Sequence, residues 1–337
     1  MRSRAHLPSL LALGLVCGGC GSTVVIEGER EGEGKTLAPL EGDTQIATMR
    51  DSEVVIADAH GNHVIGWRKT TFFSPLGVLI NPRGGEIGFG ARPDQYDPDY
   101  AAIAGPIGKP TTIPGATPMG DVVPLGDGVV AWRQNDGIRI TDRSGSPFPG
   151  DHATSTSSLQ LVPGHHGEAV YFAGGVFGQD VVHRVDVGTG EVRTLGTTEV
   201  YGNFDVNALG EVVGVTGYEL TVVDDAGNAS LLCSFEDHFP ENPQWSPDGA
   251  RVVVDADSPD DPGAARDIFV CERNQLTPIR ITFDDVHDRY PVFDDTGERI
   301  LWTRAGDLVG AHADGSSDPE VLVTGGFTDS LDVAWLR

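Results

Sequence analysis

The sequence is poor in positive charge: 23 lysines and arginines stand against 50 aspartates and glutamates, a formal net charge of −27. No basic stripe interrupts this imbalance, so nucleic acid and polyanionic polysaccharide are repelled as partners, while a basic or neutral protein or a divalent cation remains compatible. Cysteine is equally scarce, with four residues in 337, which excludes a fold stapled by many disulfides. Motifs of nucleophilic, zinc-peptidase and nucleotide chemistry are missing, since there is no G-x-S-x-G elbow, no H-E-x-x-H and no glycine-rich phosphate loop of the required spacing. These absences point away from an enzyme and imply no cofactor. Long helix-forming runs are few, whereas glycine (45) and proline (22) are plentiful throughout.

The amino terminus has an order of its own. Arg2 and Arg4 precede the apolar run Leu10 to Val16, which leads into Cys17-Gly18-Gly19-Cys20. Basic, apolar, then small is the order of a secretory signal. The run is about half the length a bilayer-spanning helix needs. Gly-Gly directly before Cys20 resembles the lipobox of bacterial lipoproteins, in which that cysteine takes a diacylglycerol and becomes the first mature residue; the departure is Cys17, where the family prefers leucine. The resemblance implies residues 1–19 as signal peptide and lipidation of Cys20. It also implies stable anchoring, and Gly21 in place of an aspartate favours the outer membrane, facing the periplasm or the cell surface. Without Arg2 and Arg4 the mature part has 21 basic residues against 50 acidic ones, or −29. Residues 20–43, with the run EGEREGEGK, are too polar and glycine-rich to build a core and read as a flexible tether.

Residues 44–337 exceed a typical single core, which calls for two domains or a repeat. Repeats decide it. Pro243-Gln244-Trp245-Ser246-Pro247-Asp248-Gly249 is followed by ARVVVDAD, DIFVCE and PIRITF, and Pro291-Val292-Phe293-Asp294-Asp295-Thr296-Gly297 by RILWTR, DLVGAHADG and EVLVTG. Each reads as four short strands separated by turns. Further turn glycines at Gly85, Gly128, Gly167 and Gly210 lie 43, 39, 43 and 39 residues apart on the way to Gly249, and Gly297 follows after 48. This is the period of four-stranded propeller blades. Each glycine is expected to supply the positive φ of a two-residue hairpin. Six such units leave strand-like residues at both ends, LDVAW near the carboxyl terminus and TQIATMR, SEVVIADAHGN and HVIGW after the tether. The expected fold is therefore all-β: a seven-bladed β-propeller of four-stranded blades closed by both termini, with six blades as the alternative if the Gly85 unit is irregular. Closure removes sheet edges that would otherwise invite pairing with other chains.

PQWSPDGARVVV, DIFVCE and the following IT resemble the repeat of TolB-like propellers, also called WD40-like, most clearly over 236–325. The resemblance implies the fold; function transfers poorly, because such propellers include scaffolds, lyases and regulatory domains of peptidases. Lyases of this kind acting on polygalacturonate would need cationic contacts that this chain lacks.

Several residues are candidates for chemistry. Asp237 with His238, and Asp285 with His287 and Asp288, recur just before the first strand of two successive blades, where they are expected at the face around a central channel. They are weak candidate ligand-binding residues: repeat-derived loop packing or a His-Asp hydrogen bond is the favoured account, and two such groups fall short of a metal site. Asp255, Asp257, Asp260 and Asp261 read as an acidic loop that matches no calcium-binding template, and so as solvated. Cys233 and Cys271 form an even pair in an oxidising compartment and a possible disulfide. They fall on different blades, and facing sheets about 10 Å apart would keep them unbonded unless an edge bends. The expected function is a non-catalytic binding or scaffold module of the cell envelope, monomeric and tethered to the membrane by lipid, with a protein or glycan partner. The alternative is a propeller-type lyase or hydrolase working at the central channel through His238 and His287.

Overall fold

The computed structural model describes the strands between residues 45 and 112, most of 111–324 and the short strand 334–336, with side chains described from about residue 112 to 324. The proposed signal and tether, Gly85, Asp237, Asp260 and Asp261 lie outside the described residues. Every described element is a β-strand.

Hydrogen bonding groups the strands into antiparallel sets in chain order. The next after the first comprises β4 (Val78–Ile80), β5 (Ile87–Ala91), β6 (Tyr100–Ala104) and β7 (Thr111–Thr112). A three-stranded set follows, β8 (Val122–Gly126), β9 (Val129–Gln134) and β10 (Gly137–Asp142). Then come β11 (Leu161–Pro163), β12 (Ala169–Gly175), β13 (Asp180–Asp186) and the long β14 (Val192–Val206), whose second half opens the following set with β15 (Val212–Thr216), β16 (Glu219–Val223) and β17 (Ala229–Ser234). The last two are β18 (Pro240–Trp245), β19 (Arg251–Asp257), β20 (Arg266–Glu272) and β21 (Ile279–Arg280), then β22 (Asp288–Phe293), β23 (Arg299–Arg304), β24 (Asp307–His312) and β25 (Glu320–Val323). The first set contains β1 (Gln45–Arg50), β2 (Glu53–Asp58) and β3 (His63–Arg68), and β1 pairs antiparallel with β26 (Ala334–Leu336) in the register Ile46↔Trp335. The first and last described strands thus share one sheet.

The cores lie between successive sets. Runs such as Val252-Val253-Val254 bury both faces of the strand, because a sheet sandwiched between two others has no wet side. Val252 and Val254 pack with Val213, Leu220, Val222 and Trp245 toward the preceding set, while Val253 packs with Ile300, Trp302 and Val309 toward the following one. Trp245, 7% exposed, wedges into this seam under the Arg273 guanidinium, 4.8 Å from its ring. Phe293 repeats the position under Arg251 at 5.4 Å.

Gly128, Gly167, Gly210, Gly249 and Gly297 all have positive φ, between 67° and 78°. Only Gly128 sits in a two-residue turn, with Asp127 before it and Gly126 paired to Val129. At the others the loop is longer: Ser246 N–H bonds to the Arg251 carbonyl, and Asn207 N–H to that of Glu211. A side chain closes the loops at Gly210, Gly249 and Gly297, which a two-residue turn has no room for, while the Gly167 loop is closed by backbone bonds from Gly164 and Gly167. The Ser246 hydroxyl accepts the Arg251 amide at 2.9 Å and donates to Asp248 at 2.6 Å, and the Asn207 side-chain oxygen accepts the Leu209 and Glu211 amides. At Gly167 the backbone is also tightly approached, since a Cβ there would lie 1.9 Å from the Leu125 carbonyl oxygen.

Cys233 and Cys271 form a disulfide with a Cα–Cα separation of 6.1 Å. The sheet spacing expected to hold them apart is overcome locally: Leu220 pairs with Cys233 but Thr221 with Leu231, so Leu232 is an extra residue that bends β17 toward the next set.

Candidate functional site

Three successive first strands share an irregularity at the end where the chain enters them. In β14 the ladder register skips Gly202 and Asn203 between Tyr201 and Phe204; in β18 it skips Asn242 and Pro243; in β22, Tyr290 and Pro291. Asn242 and Tyr290 take positive φ, 52° and 57°. Such bulges turn side chains out of the sheet and toward its end. The Asn203 amide donates to the Asn242 side-chain oxygen, and Asn242 donates in turn to Asp255 at 2.7 Å, which links two sets across their seam. One turn deeper, the Trp245 amide donates to Asp205 at 2.8 Å. Burial pushes the Asp205 carboxyl up to about 6, against the opposing hydrogen bonds from the Trp245 and Val206 amides.

Arg266 is the hub of the end. Its side chain meets Asp255 at 2.8 Å, Glu241 at 2.5 Å and Asp257 at 3.1 Å. Asp255 is fully buried, and burial raises its carboxyl to about 6 in spite of Arg266 and Asn242. The acidic segment is therefore not a solvated loop at Asp255 and Asp257: both belong to β19, where the two-residue period puts them on one face, and Asp257 pairs directly with Arg266 of β20. Glu241 remains well exposed, its side chain retaining 59% of its accessible surface.

The histidines and aspartates singled out from the repeat are placed differently from one another. Asp288 is fully buried, and its carboxylate accepts the Trp302 indole N–H and two Arg304 N–H groups, each at 2.6 Å. Such a carboxylate is committed to holding β22 against β23. His287 is exposed, and its Nδ1 accepts the Arg266 amide at 3.2 Å. Asp285 is exposed in the same loop. His238 is half-buried, with Nδ1 enclosed and unbonded among the described residues. The structure thus ties His287 to the Arg266 network through one backbone bond, and shows no bond between His238 and His287. Among the described residues no three histidine, cysteine or carboxylate side chains are grouped to hold a metal.

Sequence reasoning missed what lies next to the network. A cleft of about 580 Å³ opens at this end of the β14–β18 seam, lined by Asn203, Val215, Gly217, Phe239, Glu241 and Asn242. Phe239 is 49% exposed and Tyr218 41% exposed, and their rings pack against each other with centroids 4.3 Å apart. They come from different sets: Tyr218 from the turn between β15 and β16, Phe239 from the segment leading into β18. The sequence signal was the aromatic residue immediately before PENPQW, which became meaningful only with a neighbouring turn beside it.

No protein-family model and no curated protein sequence matches the chain. Among solved structures it is similar to TolB from Acinetobacter baumannii, at 13% identity and a TM-score of 0.55, over 88% of this chain and 67% of that one. It is similar to an oligogalacturonate lyase in complex with manganese, at 11% identity and a TM-score of 0.56, over 73% of this chain and 75% of the other. It is likewise similar to the Cps50 β-propeller domain of Myceliophteria thermophila, at 11% identity and a TM-score of 0.56, over 85% and 96% of the two chains. At such identities the likeness establishes the fold, a β-propeller, and nothing about chemistry.

Proposed function

We propose that this β-propeller is a non-catalytic binding module of the bacterial cell envelope, tethered through Cys20 and residues 20–43, that presents the end of its sheets around Arg266 to a partner. We read the antiparallel sets as seven blades, the first completed by the β26–β1 pair. The observation that carries the binding reading is the cleft at the β14–β18 seam, whose exposed aromatic pair lies beside polar side chains already fixed by hydrogen bonds. Ordered polar groups around a concave surface of this size suit recognition. Two buried carboxylates at this end serve the scaffold: Asp288 is saturated by Trp302 and Arg304, and Asp255 by Arg266 and Asn242. The anchoring and the outer-membrane location rest on the lipobox-like residues before Cys20.

The experiment offers the purified protein oligogalacturonate with manganese and follows the absorbance of an unsaturated product. The reading expects no turnover above buffer. Turnover that disappears in His287→Ala would overturn it in favour of catalysis.

A further inference from the structure

The cleft has a charge preference that the fold alone does not require. Around it Glu241, Asp255 and Asp257 contribute three carboxylates, and Arg266 a single cation bonded to all of them. The sum is −2 near neutral pH, on a chain whose formal charge is −27. Arg266, with 10% of its side chain exposed, shares the interior with the fully buried Asp255, while Glu241 and Asp257 keep 59% and 23% exposure, so the approaching surface meets carboxylates before it meets the cation. An anionic ligand is repelled here. A neutral one gains nothing from the uncompensated charge.

The aromatic pair narrows the choice further. Phe239 and Tyr218 present ring surface to solvent at the same mouth, and the negative faces of aromatic rings attract a partly desolvated cation. A carboxylate beside exposed rings is an arrangement in which an ammonium or guanidinium finds its counter-charge and its apolar cover together, the rings covering the methylene stem. Next to them the carboxamides of Asn203 and Asn242, already ordered by their mutual bond, offer groups that match a peptide backbone.

We propose that the cleft at the β14–β18 seam receives the lysine or arginine side chain of an extended segment of a basic partner protein, with Phe239 and Tyr218 as its aromatic platform and Glu241 as its counter-charge. The proposal rests on the binding-module reading above and specifies the partner's chemistry. The volume, about 580 Å³, holds one long side chain with adjoining backbone and is far too small for a folded domain.

The test is calorimetric titration of the full chain with a capped glycine-serine peptide carrying two spaced lysines. The same peptide with glutamines in place of lysines, and a neutral oligosaccharide such as cellohexaose, are titrated alongside. Binding of the lysine peptide alone is expected, weakening with added salt. Glu241→Gln and Phe239→Leu should each weaken it about three- to tenfold, the second because it keeps an apolar side chain but removes the ring. Asp318→Asn, an exposed carboxylate at the opposite end of the sheets, should leave it unchanged. An unfolding midpoint for each variant confirms that it is folded. If Asp318→Asn weakens binding as much as Glu241→Gln, the attraction is to the acidic chain at large and the proposal falls. It falls equally if Phe239→Leu binds as the wild type does, or if the wild type shows no binding at millimolar peptide. Binding of cellohexaose in place of the peptide, lost in Phe239→Leu, overturns the cationic partner but keeps the binding module; only turnover in the assay of the preceding section removes the module itself.

Discussion

Replacing Arg266 by methionine tests the network that shapes this end of the propeller. The substitution keeps the length and apolar stem of the side chain but strands Asp255, fully buried, with Asn242 as its remaining partner. Breaking a buried pair in this way costs about 3–5 kcal/mol, because an uncompensated charge is left behind. The cost has a definite pH dependence. Asp255 already titrates near 6 in the folded state against 3.8 in the unfolded chain. A carboxyl raised in this way binds its proton more tightly when folded, so ionising it works against the fold. The penalty is absent below the unfolded value and complete above the folded one. Without Arg266 the folded value rises further, and the added penalty appears at neutral pH and shrinks on acidification. Urea unfolding followed by circular dichroism at pH 7.5 and pH 5 measures it. The variant should lose about 3 kcal/mol or more at pH 7.5 and distinctly less at pH 5, and Asp255→Asn should recover part of the loss when combined with it. A loss below about 1 kcal/mol at pH 7.5, or one indifferent to pH, would refute the reasoning.

Other outcomes follow from single positions. Asp205→Asn keeps an acceptor for the Trp245 amide and removes a carboxyl held near 6, so it should raise stability at pH 7.5 by up to about 3 kcal/mol and flatten its change between pH 5 and 7, as read by urea midpoints. Gly167→Ala should be far more damaging than Gly217→Ala in thermal melts: both have positive φ, but a Cβ at Gly167 collides with the Leu125 carbonyl whereas at Gly217 it meets nothing within 4 Å. The second should cost about 1 kcal/mol, from backbone conformation alone. Deleting residues 334–337 removes β26 and bares the edge of β1, which should lower the melting temperature; an unchanged value would mean that the pairing of the chain ends contributes nothing.

What was legible in the sequence was what a single strand or turn carries by itself. Gly128, Gly167, Gly210, Gly249 and Gly297 mark loops with positive φ, and Trp245 and Phe293 mark the first strands, because both follow from local conformation and from a period of about forty residues. The loop lengths were misjudged, since the side chains of Ser246 and Asn207 close loops longer than glycine alone suggests. Whatever depends on two sets at once was hidden. Arg266 stood in plain view nine residues after Asp257, yet only the antiparallel register of β19 and β20 makes them partners. The approach of Cys233 to Cys271 depends on one extra residue in β17, and the contact of Tyr218 with Phe239 on the angle between neighbouring sheets. Conversely, the aspartates and histidines before the first strands were visible because the pattern recurs, yet Asp288, whose counterpart in the preceding set is Pro240, serves a structural role.

Hydrogen–deuterium exchange of the full chain with and without the lysine peptide reads out whether the end of the sheets around the β14–β18 seam is the recognition surface. Slowed exchange is expected at the amides of 215–218, Phe239, Glu241 and Asn242, which border the cleft, and none at the opposite turns 208–210 and 248–250. Slowing at those opposite turns with no change beside the cleft would contradict recognition at the seam.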